Sequence, residues 1–267
     1  KKKILKYSNY LCFNALHGPF GEDGQIQKIL KENNIEFTHS GITSSKRCFN
    51  KLHTKKLILK NNILTPKYTV LKKSDLNEKN LLNFKILYKK FIIKTNNSGS
   101  SYGIKIIKSN KDLKKFINNL EKFKQNITFH NYLLIEEFIT GKELTVSTIN
   151  FSKKIEPLAV TEIKSKNTFF DYEAKYTKGY ARHILPANID KKNYNKCLKQ
   201  ASKIHKLLGC NSIARSDFIL NTYKNKLYFL ETNTQPGLTS VSLVPEQAKF
   251  RNISFENIIL GVLKNIN

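Results

Sequence analysis

Apolar positions along the chain recur in short segments, some with a helical period and some with the period of a strand. Tyr10–Leu16 is an apolar run of strand length, ending at the glycine-punctuated stretch His17–Gly24. Gln25–Asn33 then predicts a short helix, with Ile26, Ile29 and Leu30 on one face. Together they predict a strand–loop–helix unit of an open α/β domain. Downstream, Lys51–Lys60 reads as a basic helix ended by Asn61-Asn62, Pro66–Leu71 as a strand and Ser74–Leu87 as a helix. Phe91–Lys94 and Tyr102–Lys108 read as strands on either side of a polar loop. Lys111–Phe123 predicts one helix, with Leu113, Phe116, Ile117 and Leu120 spaced for one apolar face. Leu133–Ile139 and Lys142–Phe151 are strands about Thr140-Gly141, and Lys154–Ile163 is strand-like. A polar, irregular stretch over 164–184 follows; segments of that length without regular structure are usually functional or disordered. Lys192–Leu208 is an amphipathic helix through Tyr194, Cys197, Leu198, Ala201, Ile204 and Leu208. Ser212–Leu220 and Lys226–Asn233 form a hairpin, and Ser254–Asn265 a last helix with Ser254 as N-cap.

Composition narrows the class. With 267 residues and 40% hydrophobic content, the chain can bury a core in two or three compact units. No stretch approaches the roughly 18 apolar residues of a membrane span, and no apolar segment follows Lys1-Lys2-Lys3 as in a signal peptide. A soluble, cytoplasmic protein is expected. Cys12, Cys48, Cys197 and Cys210 form no CxxC pair, so free thiols are expected. The net charge of +27 would suit a nucleic-acid binder, but the lysines are spread along the whole chain with Asn and Ile. That pattern reads as compositional bias, and no nucleic-acid partner is expected. The chain starts at lysine and contains no methionine, which predicts that it begins inside a longer product.

The hairpin is the most informative piece of candidate chemistry. A turn near Lys224 places Asp217 opposite Glu231, and strand alternation puts Glu231 and Asn233 on one face. Two carboxylates and an amide oxygen are hard donors of the kind magnesium takes, the remaining ligands coming from water and phosphates. The loop Ser98-Gly99-Ser100-Ser101-Tyr102-Gly103 has small residues that let backbone N–H groups approach an anion, and Lys94 stands just before it. Glu136-Glu137-Phe138-Ile139, then Glu143, is a charged strand end where a nucleotide could pair its base and ribose.

Four motifs then agree in order and spacing. His17-Gly18-Pro19-Phe20-Gly21-Glu22-Asp23-Gly24-Gln25-Ile26-Gln27 resembles the HGxxGEDGxxQ signature of the D-alanine–D-alanine ligase family. Phe169–Tyr176 resembles that family's mobile loop, FxDYEAKY. Arg215-Ser216-Asp217-Phe218 and Leu230–Pro245, with Glu231-Thr232-Asn233-Thr234-Gln235-Pro236-Gly237, resemble its C-terminal signature. The similarity covers nearly the whole chain.

The resemblance implies an ATP-grasp fold, two α+β lobes gripping a nucleotide behind a truncated open α/β N-terminal domain. The divisions expected are residues 1–40, 41–139 and 140–267, with a mobile loop over about 164–184. It implies that Lys51 and Lys94 contact ATP phosphates, which Ser98, Ser100 and Ser101 cover. Glu136, Glu137 and Ile139 would lie about the adenine, and Glu143 would hold the ribose. Lys175 would approach the γ-phosphate, and Ser100 and Tyr176 would link the two loops. Asp217, Glu231 and Asn233 would bind two magnesium (or manganese) ions. His17 would sit near the first D-alanine, Arg215 and Gly237 at the reacting centre, and Ser242 and Leu243 at the second amino acid. The activity implied is ATP-dependent joining of two D-alanines through an acyl phosphate, for peptidoglycan precursors, by a homodimer.

This sequence departs from the family pattern at several places. No glycine-rich segment precedes His17, Asn97-Ser98 stands for a usual Arg-Glu, Ser216 for an aliphatic residue, Gln235 for a serine and Val241 for a histidine. Competing readings are a ligase taking D-lactate or D-serine second, and a truncated relative that binds nucleotide without turnover.

Overall fold

The computed structural model describes residues 9–98, 103–127, 130–151, 154–165 and 181–267. In chain order, helices α1 (Gln25–Glu32), α2 (Ile42–Phe49) and α3 (Lys51–Lys60) precede strand β1 (Tyr68–Lys72). Then come α4 (Glu78–Tyr88), β2 (Phe91–Thr95), β3 (Lys105–Ile107), α5 (Asn110–Ile117), α6 (Leu120–Asn126) and β4 (Tyr132–Glu137). The second half holds β5 (Lys142–Phe151), β6 (Lys154–Ser165), β7 (Ala181–Ile184), α7 (Lys191–Leu208), β8 (Ile213–Asn221), β9 (Lys226–Asn233), α8 (Leu243–Phe250) and α9 (Phe255–Leu263).

Two antiparallel sheets organise these elements, one in the order β1-β4-β2-β3 and one in the order β7-β6-β5-β8-β9. Side-chain alternation gives the first sheet two different faces. Phe91 and Ile93 of β2, with Leu133 and Ile135 of β4, join a core completed by Leu81, Phe84, Leu113, Phe116 and Phe123 from α4, α5 and α6. Ile92, Lys94, Leu134 and Glu136 therefore project from the opposite face. In the second sheet, Leu144, Val146, Val160, Phe218 and Phe229 pack under Cys197, Ala201, Ile204 and Leu208 of α7. The other face meets Val244 and Ala248 of α8 and Ile258 and Val262 of α9.

Four expectations change. Tyr10–Leu16 forms no strand; its one ladder contact is the parallel bridge Cys12–Phe37, with Cys12 N donating to Glu36 O at 2.8 Å. An apolar run becomes a strand only when neighbours take up its backbone, and here Tyr10, Leu11, Phe13 and Leu16 stay exposed. The helix expected over Lys111–Phe123 breaks at Asn118-Asn119 into α5 and α6, which lets Phe116 and Phe123 meet edge-on with centroids 5.1 Å apart. The helix expected from Ser74 begins at Glu78, capped by Asn77 and preceded by a tight turn over Lys73–Asp75. The strand expected to stop at Ile163 runs to Ser165 as β6, and β7 pairs with it from Ala181, within the range expected to be irregular.

Helix α2 had no periodic signal. Its sequence is mostly Ser, Thr and basic residues, and its place is set by distant contacts: Arg47 donates to Leu208 O at 3.1 Å, at the C-terminal end of α7 where a cation is favoured. Gly24, at φ 90°, opens α1; a Cβ there would lie 2.9 Å from Ile42 O, so the α1–α2 approach requires glycine. The four cysteines are free thiols, Cys197 fully buried.

Candidate active site

The polar face of the first sheet and the β5–β8–β9 part of the second line a cleft. Ile92, Lys94, Glu136, Glu137, Ile139, Glu143, Phe218, Leu230 and Ile163 contribute to it. Apolar walls with carboxylates at one edge suit a flat base with a polar sugar. Deeper in, Glu136 is fully buried between two lysines: Lys94 Nζ lies 3.0 Å from its Oε2 and Lys55 Nζ 3.3 Å from its Oε1. Register explains the meeting. Glu136 pairs with Ile92 across the β2–β4 ladder, and Lys94 is two residues along on the same face. Lys55 comes from α3 and also donates to Thr65 Oγ1 at 2.5 Å. Burial would raise the Glu136 carboxyl, but the two ammonium groups outweigh it and hold it below the usual range. Burial pushes Lys55 down to about 8 against the pull of Glu136. Lys94 is opposed by burial yet held above its ordinary value, chiefly by Glu136. The triad carries net positive charge into a closed cleft, where it attracts anions most strongly.

The β8–β9 hairpin supplies the oxygen donors. Asp217 and Glu231 are cross-strand partners, with an irregularity directly after Asp217, and Arg215 pairs with Asn233. Arg215 grips Asp217 with two bonds of 2.9 Å, and Thr145 donates to Asp217 Oδ1 at 2.7 Å. Burial opposes the Arg215 charge, yet Asp217 and Glu231 raise its affinity for the proton. Lys51 Nζ stands 3.7 Å from Glu231 Oε2 and donates to the Ser98 carbonyl at 2.5 Å. Each carboxylate is thus held by a cation that phosphates would also attract. The donor set of two carboxylates and one carboxamide, on adjacent strands, fits a hard divalent ion.

Arg215, Glu231 and Leu243 also line a second cavity of about 390 Å³. Its walls include His17, Glu22, Lys51, Ser98, His183, Asn233, Gly237 and Ser242. His17 Nδ1 is 3.5 Å from Glu22 Oε1, and that hydrogen bond raises the imidazole against the effect of burial. A Cβ at Gly237 would come within 2.7 Å of Ser242 Oγ, so glycine keeps this wall open.

Two departures from the family pattern acquire partners. Ser216, buried in the second sheet, bonds Thr232 Oγ1 at 2.9 Å across the hairpin. Gln235 is buried and forms a reciprocal amide pair with Asn14: Asn14 Nδ2 donates to Gln235 Oε1 at 3.0 Å, and Gln235 Nε2 donates to Asn14 O. Asn14 Nδ2 also reaches Gly21 O at 3.2 Å, and Gln235 N donates to Asn233 Oδ1 at 2.7 Å. This chain of bonds ties the His17–Gly24 loop to the hairpin end. Val241 is 81% exposed and makes no comparable contact.

The structure therefore brings Lys51, Lys94, Ser98, Glu136, Glu137, Ile139, Glu143, Arg215, Asp217, Glu231, Asn233, His17, Gly237, Ser242 and Leu243 to two joined cavities. Ser100, Ser101, Lys175 and Tyr176 lie outside the described residues. The Glu136 side chain faces Lys55 and Lys94, which take up both of its carboxylate oxygens. Lys55 and His183 were not anticipated. Lys55, four residues after Lys51 on a basic helix, could have been flagged by i,i+4 spacing; His183 carried no local signal.

The fold and the joined cavities define an ATP-grasp ligase. The family model described as the D-ala D-ala ligase C-terminus matches residues 57–264. The D-alanine–D-alanine ligase of Wolbachia pipientis wMel is 40% identical over 265 residues, covering 99% of this chain and 80% of the relative. That of Pelagibacter ubique is 41% identical, covering 99% and 83%. The crystal structure of the Bacillus anthracis D-alanine–D-alanine ligase complexed with ATP superposes with a TM-score of 0.78 at 25% identity, covering 99% of this chain and 82% of that one. The chain belongs to the D-alanine–D-alanine ligase family, whose members are ATP-dependent and use a divalent metal.

Proposed function

We propose that this chain joins two D-alanines to D-alanyl-D-alanine with ATP as co-substrate, in the cytoplasm and for peptidoglycan precursors. The observation that carries the reading is the junction at Arg215, Glu231 and Leu243, shared by the apolar-walled cleft and the larger neighbouring cavity. A phosphoryl donor and a carboxylate acceptor meet only where such spaces join.

The first step brings two anions together: the carboxylate of the first D-alanine attacks the γ-phosphate, ADP leaves and an acyl phosphate forms. Catalysis is then mostly positioning and charge neutralisation. Lys94, steadied by Glu136, and Lys51, anchored by the Ser98 carbonyl, hold the phosphates. Glu137 and Ile139 border the adenine and Glu143 the ribose. Asp217, Glu231 and Asn233 hold the divalent metal, read here as two magnesium (or manganese) ions, which neutralises phosphate charge when bound. Lys51 beside Glu231 and Arg215 beside Asp217 place two further cations at the junction, where Arg215 would neutralise charge on the acyl oxygen. His17 lies beside the first D-alanine, and Gly237, Ser242 and Leu243 beside the second. Lys175, Tyr176, Ser100 and Ser101 close over the site. The lobes divide near residues 41–139 and 140–267 behind an N-terminal segment over 1–40, and the protein is a homodimer.

The test is phosphate release from ATP with D-alanine and magnesium. Release with D-alanine alone, unchanged in product when D-lactate or D-serine is added, is expected. ATP binding without release would show a nucleotide binder. Glu231→Gln is expected to lower turnover by about 10³-fold while the melting temperature holds; near-native turnover would refute the metal assignment.

A further inference from the structure

The amino-acid cavity holds two histidine–carboxylate pairs on different walls. His17 and Glu22 belong to the loop before α1. The other pair joins two elements of the second half of the chain: His183 on β7 and Glu246 in the first turn of α8, with Nδ1 and Oε2 2.8 Å apart. His183 lines the cavity together with Gly237, Ser242 and Leu243.

A carboxylate on Nδ1 orders the imidazole. Nδ1–H donates to Glu246, which fixes the tautomer and leaves the lone pair on Nε2. The charged groups that share the cavity with the ring are Glu246 from α8, which it bonds, and His17, Glu22, Lys51, Arg215 and Glu231 on the other walls. A lone pair on this wall matches a need of the reaction. An amino acid enters as its ammonium form, and that nitrogen cannot attack a carbonyl until a proton leaves.

We propose that His183, oriented by Glu246, is the base that takes the proton from the ammonium of the second amino acid. The proposal rests on the ligase reading above and assigns a role within it. One N–H bond of the ammonium breaks and its proton passes to Nε2. The freed electron pair forms the N–C bond to the acyl carbon. The C–O bond to phosphate breaks, and the phosphate leaves with that pair. The new amide nitrogen gives its second excess proton to the departing phosphate, and His183 returns its own to solvent.

Hydroxylamine separates this role from a structural one, because it is already a neutral amine near pH 7.5 and intercepts the acyl phosphate as a hydroxamate. In His183→Gln, kcat/KM for the second D-alanine is expected to fall by about 10²-fold, within the usual range for a general base. Glu246→Gln is expected to fall by about 10-fold. Both variants should keep D-alanyl hydroxamate formation within about 2-fold of wild type, and the His183→Gln deficit should shrink as pH rises toward 9.5, where more of the amine arrives free. Equal losses in dipeptide and hydroxamate, or no loss in either, overturn the proposal. A wild-type chain that forms neither product overturns the ligase reading instead.

Discussion

The nucleotide cleft and the amino-acid cavity adjoin, yet they are built differently. The cleft is made by strands. Lys94 and Glu136 stand buried on one face of a four-stranded sheet, Asp217 and Glu231 half-buried on paired strands of the other, and each carboxylate has a cation partner. The cavity is made by loop ends and helix starts: the His17 loop, the Asn233–Gly237 turn and the first turn of α8. Its charged pairs are half-exposed, with His17 52% and His183 23% open to solvent. Rigid strands suit a fixed triphosphate and metal. Movable loop ends suit amino acids that must enter one after the other and leave as a dipeptide.

The contrast can be broken most sharply at Glu136. Glu136→Gln leaves Lys55 and Lys94 buried together without a counter-charge, and a loss of about 3–5 kcal/mol is expected by denaturant titration. A loss below about 1 kcal/mol would mean that the cleft is as loosely built as the cavity. The Asn14–Gln235 pair comes next. Asn14→Ala leaves Gln235 Oε1 buried without its donor, and Gln235→Ala removes one acceptor of Asn14 Nδ2 and the donor to Asn14 O; each should cost about 1–3 kcal/mol. In the double variant the losses should be well short of additive. Both should raise KM for D-alanine more than KM for ATP; the reverse order would detach the pair from the amino-acid side.

The smallest effect is a pH dependence at Lys55. Its folded value of about 8 lies below the ordinary 10.5, so the unfolded chain binds this proton more tightly. Stability from this group therefore rises with pH between about 8 and 10.5 and is lowest below 8. Compared with Lys55→Met, wild type should gain roughly 1–2 kcal/mol from pH 7.5 to 10 by denaturant titration; a parallel course for the two proteins would show that the lysine titrates normally.

Most strands of the two sheets were legible because alternation and flanking turns are local signals. The hairpin was legible down to the pairing of Asp217 with Glu231, since a short turn fixes register. Helix α2 was not, because residues such as Arg47 are placed by α7, some 160 positions away. Tyr10–Leu16 misled, because an apolar run of strand length still depends on partners for its backbone. Lys55 looked like one basic residue among many, and only burial against Glu136 sets it apart.

By itself the sequence determined the family motifs, most of the order of elements and the candidate donors Asp217, Glu231 and Asn233, all carried by residues close together in the chain. Only the tertiary structure decided which cation holds which carboxylate, that Glu136 turns toward Lys55 and Lys94, that Gln235 grips Asn14, and that His183 meets Glu246 at the amino-acid cavity. The reason is physical: a buried charge or amide is stable only with a partner, and those partners lie tens to hundreds of residues apart, so only the folded chain brings them together.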